Sequence, residues 1–262
     1  MAAADIELTA AGRREITDAA SRRIPVQIPA ALATSSTAER QGTERQGPSD
    51  QWRRPERHNH RSFRRTKVLI LSANRQIARV VTRLFLAQTD AHLMHYLRNA
   101  RRLKETGPAD RITVIEGDVL DTATLEAAMA GQDVVYPNLS GELEERTRSI
   151  VTAMNAAGVK HLIFISSMGI YEEVPGERYG SVLDPYRNAA RVIKSSRLDY
   201  TMLRPAWLND RDDIAYETTQ KGEPFRNAAA TVSRTSVADL VFKLATTPGS
   251  ESCRGLGIHK AP

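Results

Sequence analysis

With 262 residues and a formal net charge of +6, the chain is long enough for one α/β domain plus an appendage. Its pI of about 9.6 points to anionic partners. A single cysteine excludes an internal disulfide, and no apolar run approaches the roughly 20 residues that cross a bilayer, so a soluble, cytoplasmic protein without a membrane partner is expected.

The first 65 residues hold twelve arginines, no lysine and eight carboxylates. Pro25, Pro29, Pro48 and Pro55 interrupt what apolar periodicity there is, and Glu-Arg-Gln-Gly at 39–42 recurs at 44–47. Residues 1–65 therefore read as a disordered, Arg-rich, low-complexity tail. The tail lacks the apolar core of a secretory signal, and Asp5, Glu7, Glu15 and Asp18 argue against an organellar presequence. Trp52, His58, His60 and Phe63 interleave with arginines from Arg53 to Arg65. That pattern suits nucleic acid, but a solvated linker is favoured and nucleic acid is disfavoured as a partner.

From Thr66 the pattern changes. Strands are expected at Lys67–Leu71, His92–Leu97, Ile112–Glu116, Asp133–Tyr136, Leu162–Ile165, Tyr200–Leu203 and near Gly255–Ile258. Helices alternate with them at Gln76–Ala87, Thr122–Ala130, Leu143–Ala157, from Pro185 to Ser196, and at Val237–Thr246. Asp121 reads as an N-cap, Gly131 and Gly158 as helix stops, and residues 204–230 as irregular. This alternation predicts an α/β fold, a doubly wound, Rossmann-like parallel sheet over residues 66–262 with strand order 3-2-1-4-5-6.

The stretch Lys67-Val-Leu-Ile-Leu-Ser-Ala-Asn-Arg-Gln-Ile-Ala78 is a strand, a turn and a helix start, the opening unit of a dinucleotide-binding fold. Ser72, Arg75 and Ala78 occupy the places where glycines bring backbone N–H groups against a pyrophosphate. If Ser72 or Arg75 needs a left-handed backbone, its side chain costs roughly 1–2 kcal/mol. Arg75 admits two readings. Its guanidinium pairs with a cofactor phosphate, or it fills the phosphate site and obstructs it. Arg98 lies 26 residues beyond Ser72, at the end of the second strand, and no acidic residue occurs between Ala91 and Lys104. An arginine there suits the 2′-phosphate of NADP(H), with NAD(H) less favoured.

Five stretches carry a resemblance. These are the opening unit, Glu116-Gly-Asp-Val-Leu-Asp121, Ala130-Gly-Gln-Asp-Val-Val-Tyr136, Gly158-Val-Lys-His-Leu-Ile-Phe-Ile-Ser-Ser167 and Leu198-Asp-Tyr-Thr-Met-Leu-Arg-Pro-Ala-Trp-Leu208. In order and over about residues 67–259, they resemble the atypical short-chain dehydrogenase/reductases, in their NmrA-like, NAD(P)-binding epimerase/reductase branch. The resemblance implies that Ser72, Asn74, Arg75, Gln76 and Ile77 meet the cofactor phosphates, that Asp118 and Val119 meet the adenine, and that Asn138 runs along the cofactor. It also implies that Ser167 orients a substrate carbonyl or hydroxyl.

The wider family pairs that serine with Tyr-x-x-x-Lys, where the ammonium eases proton exchange at the tyrosine. No tyrosine here has a lysine four residues on: Pro175 follows Tyr171 and Ala190 follows Tyr186. Ser167, Tyr171 and Tyr186 remain the catalytic candidates. Trp207 reads equally as substrate-side or core. No metal site is expected, since the histidines lack cysteine partners at ligand spacing. A Gly-x-x-x-x-Gly-Lys loop is absent, and Ser167 lacks a Gly-x-Ser-x-Gly elbow. The resemblance implies an NADP(H)-dependent oxidoreductase acting on a small carbonyl or quinone-like substrate. The alternative is a non-catalytic NADP(H)-binding sensor with a degraded loop. Neither the substrate nor the oligomeric state is legible.

Overall fold

The computed structural model describes residues 65–103, 107–176 and 178–261. The expected tail, apart from Arg65, and Lys104 lie outside the described residues. Among the described residues ten strands run in chain order: β1 Lys67–Leu71, β2 His92–Leu97, β3 Ile112–Glu116, β4 Val134–Pro137, β5 His161–Ile165, β6 Asp199–Pro205, β7 Trp207–Asn209, β8 Tyr216–Thr219, β9 Thr231–Ser233 and β10 Arg254–Lys260. Five α-helices accompany them: α1 Gln76–Gln88, α2 Thr122–Met129, α3 Leu143–Ala157, α4 Asp184–Ser195 and α5 Arg234–Thr246.

Eight strands form one sheet in the order β3-β2-β1-β4-β5-β6-β10-β8. The expected 3-2-1-4-5-6 order is its core. All pairings in it are parallel except β10 with β8. Successive residues of β1 face opposite sides, so Val68 and Ile70 enter one core with α1 and α5, while Leu69 and Leu71 enter the other with α2, α3 and α4. Burial on both faces explains why β1 and β4 are apolar at nearly every position.

Local signals set the boundaries. Asp121 accepts from Thr124 N at 3.3 Å and starts α2, and Gly158 (φ 72°) ends α3 in the left-handed conformation. Ser233 accepts from Ser236 N at 2.9 Å, which begins α5 at Arg234 rather than at the expected Val237. Pro185 sits in the first turn of α4 as expected, following a 3₁₀ turn at Gly180–Leu183.

Residues 204–230 are not wholly irregular. β6 runs on through Pro205, β7 pairs with β9 in a small parallel ribbon, and β8 pairs with β10. Those pairings are distant in sequence, and Arg254-Gly-Leu-Gly-Ile258 carries too many glycines to announce a long strand. Gly257 is nonetheless required, because a Cβ there would sit 2.4 Å from Thr219 Oγ1 on the neighbouring strand.

His95 on β2 is buried, with Nε2 3.1 Å from Thr82 Oγ1 and Nδ1 unpartnered. Burial pushes its pKa down from 6.5 to about 4. The neutral ring is the folded form, so its contribution is complete above pH 6.5 and is lost as pH falls toward 4, by about 3 kcal/mol in full. Urea unfolding at pH 7.5 and 4.5 should show that loss. His95→Gln should flatten the profile by about 2–3 kcal/mol, and superimposable profiles would refute the assignment.

Candidate functional site

The turn between β1 and α1 opens at the C-terminal edge of the sheet, where strands of doubly wound folds present ligands. Ser72 adopts φ +58°, the left-handed region, and its N–H donates to Tyr96 O at 2.7 Å. The strain foreseen for this turn therefore falls on Ser72 alone. Arg75 has φ −75° and ψ 156°, ordinary extended backbone, and is the N-cap of α1. Among the described residues no side chain caps this helix, and its first turn holds no acidic residue. Its first N–H groups and the positive end of its dipole are left for an anion.

Arg75 reaches across the turn, and its Nη2 donates to Ser140 Oγ just beyond β4. Its pKa is lowered by burial first and then by Arg146, with Arg98 adding a smaller effect and Tyr186 opposing it. Arg146, Tyr186 and Arg98 are thus each near enough for their charges to act on Arg75. Arg146 is largely buried, lies 3.9 Å from Glu142 and has an Nε with no hydrogen-bond partner. An unmet guanidinium donor beside an uncapped helix suits a pyrophosphate, so the residues present fit a dinucleotide. Ser140 and Arg146 escaped the sequence reading. Ser140 follows Asn138 at the end of β4, a position that could have marked it, whereas nothing in the sequence singled out Arg146.

Arg98 and Asp118 come together, with Nη1 and Oδ2 3.8 Å apart on the exposed rim. Asp118 Oδ1 accepts from Leu120 N at 3.1 Å, and Tyr96 Oη donates to Asp118 O at 2.8 Å. Gly117 permits that approach, since a Cβ there would lie 2.3 Å from Tyr96 Oη. Carboxylates absent from the local sequence enter this basic rim through space: Glu116 Oε2 accepts from Ala100 N at 2.8 Å. Gln76 and Asn74 are half-buried at the turn. Ile77 and Val119 point into the two cores and Asn138 is buried, its N–H donating to Leu71 O. Ile77 and Val119 therefore offer a ligand only their backbones.

Ser167 lies just past β5, half-buried, and its Oγ donates to Met168 O at 3.1 Å. Tyr186, half-buried on the first turn of α4, is the tyrosine whose field reaches Arg75. Tyr171 is placed differently. Its hydroxyl faces Met202 Sδ at 3.6 Å on β6, and burial pushes its pKa up to about 12. Of the two tyrosines, Tyr186 is the one whose charge reaches Arg75 and the turn after β1.

A buried ion pair holds the Tyr171 loop. Glu173 accepts from Gly169 N at 3.1 Å, from Tyr171 N at 2.8 Å and from Arg204 Nη1. Both charged side chains are almost wholly buried, at 0% and 4% exposure for Arg204 and Glu173. Arg204 is thus a structural anchor inside β6, and Trp207, 59% exposed, is not core. Among the described residues no helix is long and apolar enough to cross a membrane, and no group of three or more His, Cys, Asp or Glu is placed to hold a metal.

Residues 72–248 match the sequence model of the family described as NAD(P)H-binding. The chain is similar to a Rossmann-fold NAD(P)-binding family protein from Shigella flexneri, at 40% identity over 74% of this chain and 93% of that one, with a TM-score of 0.66. It is also similar to a wide-type short-chain dehydrogenase/reductase from Veillonella parvula solved in complex with NADP, at 28% identity over 74% and 94% of the chains, TM-score 0.68. Cinnamoyl-CoA reductase 1 of Oryza sativa subsp. japonica is 32% identical over 96 residues, covering 33% of this chain and only 28% of that protein.

Removing one partner of the buried pair strands the other charge, at a cost of about 3–5 kcal/mol. Glu173→Gln should lower stability in urea unfolding by that order, while a change under about 1 kcal/mol would show that the pair does not anchor the loop.

Proposed function

The chain belongs to the NAD(P)H-binding family, and on that premise we propose that it is an NADP(H)-dependent oxidoreductase acting on a small carbonyl or quinone-like substrate. The observation that carries the reading is Arg75 at the uncapped start of α1, hydrogen-bonded across the turn to Ser140, with Arg146 and Arg98 near enough for their charges to act on it. The bound nicotinamide supplies a hydride. Arg75, Arg146 and the first N–H groups of α1 hold the pyrophosphate, with side-chain charge doing what glycine backbone does elsewhere in such turns. Arg98 takes the 2′-phosphate, exchanging its exposed contact with Asp118, worth under about 1 kcal/mol, for a phosphate. The relative solved with NADP supports that choice.

On the substrate side, Ser167 Oγ gives up its weak contact with Met168 O and donates to the substrate oxygen. Tyr186 delivers the proton as the oxygen gains charge. Its fourth-following residue is Ala190, buried at 2% exposure, so no lysine assists from that place. Lysines do meet tyrosines elsewhere, as Lys243 Nζ lies 3.2 Å from Tyr216 Oη, but that tyrosine donates to Asp239 and its pKa is raised. Among the described residues no ammonium is hydrogen-bonded to Tyr186, and that favours a second reading, an NADP(H)-binding sensor without turnover.

NADPH oxidation against a panel of small aldehydes, ketones and quinones separates the two. Turnover that falls about 100-fold in Tyr186→Phe, with little change in NADPH affinity, supports the enzyme. Tight NADPH binding with no turnover supports the sensor. Arg75→Gly should weaken NADPH binding about tenfold, through loss of a charge-assisted contact, whereas tighter binding would mean that the guanidinium obstructs the site.

A further inference from the structure

Strand order turns back on itself between β1 and β4, which are neighbours in the sheet although β2 and β3 lie between them in the chain. Doubly wound sheets open for a ligand at such a reversal. The two strands stay paired as far as Leu71 and Pro137, and Asn138 N donates to Leu71 O at 3.1 Å. Beyond that bond the chains part. Ser72 N turns away to Tyr96 O on β2 at 2.7 Å, and α1 packs with Val68 and Ile70 on one face of the sheet. On the other face α3 packs with Leu69 and Leu71. Helices that leave neighbouring strand ends toward opposite faces hold a cleft between their starts.

Arg75 and Ser140 stand on the two lips of that cleft. Arg75 is the N-cap of α1, and Ser140 lies just before α3. The hydrogen bond from Arg75 Nη2 to Ser140 Oγ therefore spans the opening. Among the described residues it is the one hydrogen bond of that side chain, and no carboxylate is ion-paired with Arg75. A guanidinium carries several N–H donors, so the rest stay available for phosphate oxygens. A neutral hydroxyl holding an exposed guanidinium is also a contact that costs little to release. It can open and close.

We propose that Ser140 is a positioning residue for the cofactor: its hydroxyl holds the Arg75 guanidinium as a bar across the β1/β4 cleft, which opens to admit the pyrophosphate of NADP(H) and closes over it again. The inference rests on the cofactor reading of this site. Ser140 acts through Arg75 and needs no contact of its own with the dinucleotide. A closed bar holds back entry and exit alike, so Ser140 governs the rate of cofactor exchange, whereas Arg75 and the first N–H groups of α1 govern affinity. Arg75→Gly removes the bar and the phosphate contact together. Ser140→Ala releases the bar and leaves the guanidinium in place.

Stopped-flow fluorescence of NADPH on the full chain measures the association and dissociation rates, and titration calorimetry measures Kd independently. In Ser140→Ala both rates should rise about fivefold, the change in open population for one hydrogen bond of ordinary net strength, with Kd held within about twofold. Ser140→Thr keeps a hydroxyl and should restore the natural rates. A hydroxyl that merely steadied the loop would alter dissociation and affinity alone. Retained NADPH binding with an unmoved association rate in Ser140→Ala, or an equal rise in Ser140→Thr, would overturn the bar and leave the cofactor reading standing. No NADPH binding by the natural chain would remove that reading and this inference with it.

Discussion

The start of α1 is a helix end that no side chain among the described residues caps. Four N–H groups at such an end need partners, and the usual ones, a capping hydroxyl or a first-turn carboxylate, are missing. The rest of the site follows from that vacancy of negative charge. Ser72 holds a left-handed backbone at roughly 1–2 kcal/mol to make the turn. Arg75 crosses to Ser140, and Arg146 keeps an unmet donor nearby. Positive charge accumulates there against only long, exposed contacts to Asp118 and Glu142, and such a surplus suits a phosphate.

The two halves of the sheet use arginine in opposite ways. Arg98 is exposed and weakly paired with Asp118, and Arg75 is bonded to the Ser140 hydroxyl rather than to a carboxylate. Arg204 is sealed in β6 by Glu173, which also fastens the loop after β5. A buried pair of this kind contributes little net stability over apolar packing, but it fixes one geometry because either partner alone is costly. The loop it fixes carries Gly169, whose φ of +81° and closeness to the Tyr179 ring leave no room for a Cβ. Ser167 is positioned from a rigid base for that reason.

Much of the scaffold was legible because it is written locally. Apolar runs, Asp121, Gly158 and Pro185 each act on their own neighbours, and they marked β1, β2, α3 and the start of α4 to within a residue. What escaped is non-local. β8 is recognisable only once β10 lies beside it, and Tyr-Glu-Thr-Thr has no apolar face of its own to announce it. Within the site, Ser72, Arg75 and Arg98 could be named from spacing after β1 and β2, and Asp118 from the family resemblance. Ser140, Arg146 and Glu173 could not, since their roles depend on which side chain reaches them from another element. Tyr171 and Tyr186 look alike in sequence and are separated only by what each faces.

The central claim is that side-chain charge holds the cofactor here, with Arg98 selecting the 2′-phosphate. Titration calorimetry of NADPH and NADH, on the natural chain and on Arg98→Ala, measures it directly. The account predicts NADPH binding tighter by tenfold or more, a difference of at least about 1.4 kcal/mol, and a preference erased in Arg98→Ala with NADH affinity unchanged. Equal affinities for the two cofactors, or a preference that survives the substitution, would contradict it.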